Sequence, residues 1–98
     1  MAYGLTLVFE GVSAKDYWAV NDQLGIGRDG SGDWPAGLTS HTGAETADGL
    51  VVSEVWVDKA AHQKFMAERL GPALGAVGVK APSQMIEANV VNHHTAAS

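Results

Sequence analysis

The order in which strand and helix patterns follow one another is the feature that most constrains how these 98 residues fold. Large apolar side chains occupy every second position over residues 3–9, which is the period of a β-strand. The segments 38–44, 50–57 and 85–91 also favour strands. Asp48-Gly49, a dipeptide that suits a two-residue hairpin turn, separates 38–44 from 50–57.

A first helix is predicted between the first two strands. Ser13 stands three residues before Asp16, which is a weak form of the capping box that opens a helix. Gly25 suits the end of this helix because glycine adopts the left-handed conformation without steric cost. Four residues at helical spacing form one face: Tyr17, Val20, Asn21 and Leu24.

A second helix is predicted from Lys59 to about Leu70. Asp58 stands directly before it and suits its N-cap. Gly71-Pro72 is expected to end or kink this helix, because proline lacks the backbone N–H that a helix interior needs. The segment 75–83, which is rich in glycine and proline, is then predicted to be a loop.

This succession is βαββαβ, and it predicts a single α+β domain over 1–98 with a ferredoxin-like fold. Its four-stranded sheet is antiparallel and carries both helices on one face. In 50–57 both alternating sets of side chains are largely apolar, and Val8 adds an apolar residue to the opposite face of the first strand. A sheet with two apolar faces needs a second cover, so we predict a homodimer packed sheet to sheet.

Charge and composition narrow the possible partners. The formal charge is −5 with six Lys and Arg, which argues against nucleic acid. The lack of cysteine excludes a disulfide scaffold, a thiolate zinc site and a cysteine nucleophile. No apolar run approaches the roughly 20 residues of a membrane helix, and the start does not resemble a secretory signal. We therefore expect a cytoplasmic protein that does not bind membranes.

The glycine-rich segment 25–37 is predicted to be a loop or a lid, because it is longer than a simple connection. Trp34-Pro35 would form its apolar tip, or Trp34 would be buried against its own subunit or a partner. Residues 25–30 match G-x-G-x-x-G, but they follow a helix instead of a strand, so we predict no dinucleotide site. The segment 92–98 is predicted to be a frayed tail.

The hairpin predicts a cluster of functional side chains. With Asp48-Gly49 as the turn, Gly43 faces Glu54 and His41 faces Trp56, and opposed residues share a side of the sheet. His41, Glu54 and Trp56 would then lie together. A histidine beside a carboxylate and an aromatic wall suits a general base, so these three are our candidate catalytic residues. The alternative interpretation is a structural His–Glu pair.

Five further residues are candidates for contact with a ligand: Tyr17, Asn21, Trp34, His62 and Phe65. The Asn21 amide, on a buried helix face, needs a partner, which would be a ligand carbonyl, a strand backbone or a water. Tyr17 would hydrogen-bond a substrate oxygen or simply pack. His62 would reach a pocket, or lie at the edge of an apolar stripe with its ring tip in water. The histidines show no metal-ligand spacing, so no metal site is predicted.

The segment 37–74, which reads GLTSHTGAETADGLVVSEVWVDKAAHQKFMAERLGPAL, resembles proteins of the dimeric α/β-barrel superfamily. It looks most like the antibiotic-biosynthesis-monooxygenase-like group. This resemblance implies a homodimer with a small-molecule pocket between sheet and helices in each subunit. Some such proteins oxidise polyketide phenols to quinones with O₂ and without a cofactor, others bind or degrade haem, and others only bind ligands.

The residues that carry the resemblance disfavour one of these activities. Trp56 matches the tryptophan that the group carries on its third strand. The haem-degrading branch has an asparagine on the first strand and a ligand histidine on the second helix. Residues 3–9 contain no asparagine and Met66 stands ten positions after Trp56, which disfavours haem degradation. The resemblance therefore implies a cofactor-independent monooxygenase; the alternatives are a non-catalytic or stress-related binding protein and a purely structural dimer.

Overall fold

The computed structural model describes residues 2–96 and contains one four-stranded sheet. Its strands are β1 (Tyr3–Glu10), β2 (Leu38–Thr46), β3 (Gly49–Trp56) and β4 (Gln84–Asn89). Their order across the sheet is β2-β3-β1-β4, and every neighbouring pair is antiparallel. This arrangement confirms the predicted ferredoxin-like fold. The predicted frayed tail partly lies outside the described residues, and residues 92–96 are exposed without regular structure.

The first helix, α1 (Ala14–Leu24), has the caps that its sequence predicts. The Ser13 hydroxyl accepts a hydrogen bond from the Asp16 N–H, and the Asp16 carboxylate accepts one from the Ser13 N–H. Gly25 ends the helix in the left-handed conformation, with φ 76°. These bonds satisfy backbone groups that the helix ends would otherwise leave without partners.

The second helical segment is longer than its sequence predicts. It begins with α2 (Lys59–Phe65), widens into a π-helical turn at Met66–Leu70 and continues as α3 (Gly71–Val77). Of the predicted end or kink at Gly71-Pro72, the end is therefore wrong, because helical structure continues to Val77. The Gly71 N–H bonds to the Met66 carbonyl, so the helix starts afresh there and Pro72 falls in a first turn, where a missing N–H costs little. The predicted loop accordingly begins only after α3.

Both helical segments cover the same face of the sheet, and the core lies between them. Tyr3, Leu5, Leu7 and Phe9 alternate into this core and meet apolar residues of the helices. On the opposite face, no helix of the described residues 2–96 covers the sheet. There Val8, Val51 and Val55 are half-buried and Ile86 is 48% exposed. The fold of one chain thus completes one face of its sheet and leaves the other open.

The hairpin between β2 and β3 has a different register from the predicted one. His41 faces Glu54, Gly43 faces Val52 and Thr46 faces Gly49, so the turn consists of Ala47 and Asp48. The prediction of an Asp48-Gly49 turn is wrong because Gly49 belongs to β3, where it pairs with Glu10. The register is displaced by two residues, and an even displacement keeps every side chain on its predicted face.

Gly49 is needed for its close contact with the end of β1. A Cβ atom at this position would clash with the Phe9 carbonyl oxygen and lie 2.9 Å from the Gly11 nitrogen. Both are backbone atoms, so neither can rotate away. We expect Gly49→Ala to lower the free energy of unfolding by about 1–3 kcal/mol.

Urea denaturation measures this effect, and Gly75→Ala is the matched control. Gly75 lies in α3, and a Cβ atom added there would meet no atom within 4 Å, so alanine should raise stability by about 0.5–1 kcal/mol. Equal effects at the two glycines would contradict the close-contact explanation.

Candidate functional site

A cavity lies between α1, the 25–37 loop and the helix-covered face of the sheet. Its volume is about 60 Å³. This is enough space for several waters or part of a larger ligand. The wall is mostly apolar, and its polar side chains come from Tyr17, Asn21, His41 and Glu54. A pocket with few polar groups on an apolar wall is typical of small-molecule sites.

A chain of hydrogen bonds connects four side chains at one end of this cavity. The Tyr17 hydroxyl lies 2.6 Å from His41 Nε2, and His41 Nδ1 lies 2.7 Å from Glu54 Oε2. The other Glu54 oxygen, Oε1, accepts a hydrogen bond of 3.1 Å from the Trp56 indole N–H. The predicted proximity of His41, Glu54 and Trp56 is thus present, and Tyr17 joins them.

The hydrogen-bonded side chains are largely buried, unlike those of a surface ion pair. Only 16% of the His41 side chain and 7% of the Glu54 side chain are exposed, and Trp56 is fully buried. Trp56 does not line the cavity; it lies behind Glu54. A buried carboxylate is costly unless its oxygens are hydrogen-bonded, and the two Glu54 oxygens are bonded to His41 and to Trp56. The carboxylate is therefore held in one orientation toward the imidazole.

The 25–37 loop borders the cavity through its apolar tip. Trp34 and Pro35 line the wall, and the Trp34 ring centroid lies 5.5 Å from that of His41. Trp34 remains 37% exposed, and its indole N–H bonds to the Gly30 carbonyl within the loop. The loop thus contacts the site from above, as a lid would, without sealing it.

Arg69, in the π-helical turn, ties this loop to the second helical segment. Its guanidinium donates hydrogen bonds to the Leu24 carbonyl at 2.8 Å and to the Asp33 carbonyl at 2.6 Å. It also lies 3.4 Å from the Asp33 carboxylate. Sequence reasoning missed this residue because its partners are backbone carbonyls distant in sequence.

We expect Arg69→Met to loosen the loop while α1 and the sheet stay folded. Each lost bond from a charged donor is worth about 1.5–3 kcal/mol, so amide exchange over 25–37 should speed up by roughly tenfold or more. Hydrogen–deuterium exchange followed by mass spectrometry measures the exchange rate of these loop amides. Arg28→Met is the control, since Arg28 lies over the Trp18 ring at 4.7 Å and its guanidinium makes no such bond to a backbone carbonyl of residues 2–96. Unchanged exchange in the Arg69 variant would contradict the tether.

Two other predicted ligand residues, Asn21 and Phe65, line the cavity. Asn21 is only 6% exposed and its side chain lines the cavity. An amide in this place can hydrogen-bond a ligand oxygen or a water in the cavity. Phe65 packs against the Trp56 ring at 5.6 Å and forms the apolar floor.

His62 lies elsewhere than the ligand-contact prediction puts it. It is 3% exposed, does not line the cavity and packs between the rings of Tyr3 and Trp56. Its ring tip is not in water, and its Nε2 atom is buried without a hydrogen-bond partner among residues 2–96. Burial lowers the pKa of His62 below its usual value, against the opposing effects of Glu54 and Glu87.

This lowered pKa predicts a loss of stability in acid. The unfolded chain binds a proton at His62 below about pH 6.5 while the folded chain resists it, so the free energy of unfolding falls as pH drops. The contribution of one such proton is at most about 1.4 kcal/mol per pH unit. Urea midpoints at pH 7.5 and 5.5 should therefore differ less in His62→Leu than in the wild type. His93→Ala, on the exposed tail, should keep the wild-type difference, and an unchanged difference in His62→Leu would contradict this assignment.

Other kinds of site find no support in the described residues. Within residues 2–96, no group of three or more His, Asp or Glu is placed to hold a metal ion. No helix in that range is long and apolar enough to cross a membrane. The G-x-G-x-x-G match forms a small turn closed by an Ile26–Gly32 bridge, and the next element after it in the described residues is the strand β2.

Comparison with known proteins gives the fold a context. No protein-family model and no curated protein matches the chain. One similar solved structure is a Chloroflexus aurantiacus protein provisionally designated an antibiotic biosynthesis monooxygenase, with a TM-score of 0.68, 19% identity and coverage of 97% of this chain and 98% of that one. Another is protein YjcS, with a TM-score of 0.62, 8% identity and coverage of 92% and 99%. These similarities agree with the ferredoxin-like fold that the sequence predicts.

Proposed function

We propose that this protein binds a weakly acidic aromatic or polyketide-like molecule and oxidises it with O₂, without an added cofactor. The observation that carries this proposal is the buried His41–Glu54 pair at the end of an apolar cavity. A histidine held by a carboxylate suits proton removal, and an apolar wall suits a flat aromatic ligand. The similarity in fold to the Chloroflexus aurantiacus protein supports the same class of reaction.

The proposed oxidation begins with a proton transfer in which His41 and Glu54 have different roles. His41 is the base on which the proton lost from an acidic C–H or O–H of the substrate ends, and Glu54 stabilises the resulting imidazolium. The substrate anion transfers an electron to O₂, and recombination of the two radicals forms a C–O bond. The peroxide takes the proton back from His41, and loss of water leaves a carbonyl. One oxygen atom ends in the product and the other in water.

The surrounding residues give the cavity its shape. Phe65 and the loop residue Trp34 confine the ligand, and the Asn21 amide binds a ligand oxygen. Trp56 supports the site from behind by fixing Glu54. The site thus contains aromatic walls, one amide and one basic group, which suits a flat molecule with a carbonyl near its acidic position.

We also propose that two copies pack through the open face of the sheet. Along the strands this face carries small and apolar residues, among them Thr6, Val8, Val55 and Ile86. Apart from Glu10 at one end it has no charged side chain, so it can meet its own copy without repulsion. Native mass spectrometry tests this, and a folded monomer at micromolar concentration would contradict it.

A second candidate function is binding without conversion. It is favoured by the hydrogen bond that already occupies His41 Nε2, the ring nitrogen that does not contact Glu54. A binding protein would hold the ligand through Tyr17 and Asn21 and leave it chemically unchanged. Turnover, not affinity, separates the two functions.

The test uses anthrone, whose C–H next to an aromatic ketone system is acidic and whose oxidation consumes one O₂ and releases one water to give anthraquinone. O₂ uptake and product absorbance are followed with and without protein, and binding is followed by tryptophan fluorescence. Catalysed formation of anthraquinone supports the proposed oxidation. Binding without O₂ uptake above the uncatalysed rate would favour the binding protein, and neither binding nor conversion would contradict both.

A further inference from the structure

We propose that the Tyr17 hydroxyl, and not the His41 ring, is the group that exchanges a proton directly with the ligand, with the His41–Glu54 pair acting from behind it. This inference rests on the proposed function and assigns its proton-transfer step to a particular atom. It makes Tyr17 a catalytic residue and gives a role to Gly43, a residue without side-chain chemistry of its own.

The hydrogen bonds define the direction of proton transfer. The Trp56 indole N–H can only donate, so Glu54 Oε1 is an acceptor. We assign the proton between His41 and Glu54 to His41 Nδ1, which makes Oε2 an acceptor as well. His41 Nε2 then carries a lone pair and accepts the hydrogen bond of 2.6 Å from the Tyr17 O–H. The lone pair that would act as the base is therefore already bonded to Tyr17.

The surroundings of His41 leave little direct access for a ligand. The Tyr17 ring is inclined by only 15° to the His41 ring, at a centroid distance of 6.0 Å, and Trp34 lies 5.5 Å from the same ring. Tyr17 and His41 both line the cavity, and the half-buried Tyr17 hydroxyl is bonded to His41 Nε2. A ligand can therefore reach the Nε2 lone pair only by displacing the phenol, whereas it can bond to the phenol oxygen with the Tyr17–His41 bond intact.

Gly43 provides the space in which the Tyr17 ring lies. A Cβ atom at Gly43 would be 2.8 Å from Tyr17 Cζ and 3.0 Å from its hydroxyl oxygen. Any other residue at this position in β2 would push the phenol away from His41. Glycine weakens a strand interior, and its presence often marks a place where another group approaches closely. Gly43 is thus a positioning residue for Tyr17.

The proton transfer balances as a relay. The ligand gives its proton to the Tyr17 oxygen while the original Tyr17 proton moves to His41 Nε2. The ligand becomes an anion, Tyr17 is neutral before and after, and His41 becomes an imidazolium paired with the Glu54 carboxylate. Return of the proton to the peroxide follows the same path in reverse.

The experiment compares Tyr17→Phe, Gly43→Ala and their combination with wild type, with Tyr3→Phe as the matched control. Tyr3 is the other tyrosine, and its hydroxyl bonds to Glu87 outside the cavity. With anthrone as the probe, we expect Tyr17→Phe to lower kcat by about 10²-fold with little change in KM. Gly43→Ala should lower kcat similarly, the double variant no further, and Tyr3→Phe not at all.

A second measurement does not require turnover. Side-chain ¹H–¹⁵N spectra of the histidines distinguish a protonated ring nitrogen from an unprotonated one. We expect His41 Nε2 to be unprotonated in wild type and its resonance to move in both Tyr17→Phe and Gly43→Ala, because each removes the phenol hydrogen bond. A protonated Nε2 in wild type would overturn the relay.

The outcomes separate this inference from the proposed function. Full activity in Tyr17→Phe, with activity lost in His41→Ala, would overturn the relay and leave the oxidation intact. A wild-type protein that neither consumes O₂ nor forms anthraquinone would overturn the oxidation itself, and the role of Tyr17 with it. Loss of kcat in Gly43→Ala without movement of the His41 resonance would overturn the positioning role of Gly43.

Discussion

His41→Ala is expected to lower kcat for anthrone oxidation by about 10²–10⁴-fold, while the dissociation constant for anthrone changes little. The imidazole is the only group at the cavity wall, within residues 2–96, that both accepts a proton and is stabilised by a carboxylate when charged. Its contribution therefore arises as the proton moves, not when the ligand binds. O₂ uptake under saturating anthrone measures kcat, and fluorescence titration measures binding.

Two further variants serve as comparisons for His41→Ala. Glu54→Gln keeps the size of the side chain but removes the charge that stabilises the imidazolium, so its kcat should fall by a smaller factor than that of His41→Ala. His93→Ala alters an exposed tail histidine and should retain the wild-type rate. Wild-type turnover in His41→Ala would exclude His41 as the base. Loss of binding with unchanged turnover at saturation would assign it to ligand recognition instead.

Trp56→Ala is expected to have the largest effect on stability, a loss of about 3–5 kcal/mol in the free energy of unfolding. Trp56 is 0% exposed and packs against His62 and Phe65, so truncation leaves a large void in the core. It also removes the indole N–H that donates a hydrogen bond to Glu54 Oε1, which leaves a buried carboxylate oxygen without its donor. Urea denaturation followed by far-UV circular dichroism measures the loss.

Trp34→Ala is the control for this prediction because it removes the same side chain from an exposed place. Trp34 is 37% exposed and its hydrogen bond stays within the 25–37 loop, so we expect a loss of about 1 kcal/mol or less. Trp56→Phe separates the two causes, since it fills most of the void but lacks the N–H. Equal losses for Trp56→Ala and Trp34→Ala would contradict the assignment of Trp56 to the core.

Much of the fold could be predicted because its signals are local. The alternation over 3–9 and the capping residues Ser13, Asp16 and Gly25 act on their own backbone neighbours, so their effect can be read without knowing what lies nearby in space. The hairpin register could not be read in this way. Asp48-Gly49 is a good turn dipeptide, but the contact of Gly49 with β1 fixes it in the strand.

The extent of the helical segment after β3 also could not be predicted from local signals. Gly71-Pro72 is a sound local reason to end a helix, and the π-helical turn at Met66–Leu70 removes that reason by starting a new hydrogen-bond pattern. The turn also carries Arg69, which reaches the loop. Widened turns of this kind often occur at functional sites, but a spacing rule based on a regular helix does not detect them.

The candidate site was predictable where side chains share one hairpin. His41 and Glu54 lie on the same face in the predicted and in the observed register, because a displacement by two residues preserves the alternation. The position of His62, on a helix that packs against the sheet, could not be predicted. Helical spacing placed it beside Phe65, but which of the two meets the cavity depends on how the helix is rotated against the sheet.

By itself the sequence determined the order of elements, the caps of α1, the face of the sheet that becomes core and the pairing of a histidine with a carboxylate on it. These follow from periodicity and local chemistry. Only the tertiary structure decided that Tyr17 bonds to His41, that Gly43 makes room for it, that Trp56 lies behind Glu54 and that Arg69 holds the loop. These contacts depend on how the helices, the loop and the strands pack against one another, and local sequence patterns do not specify that packing.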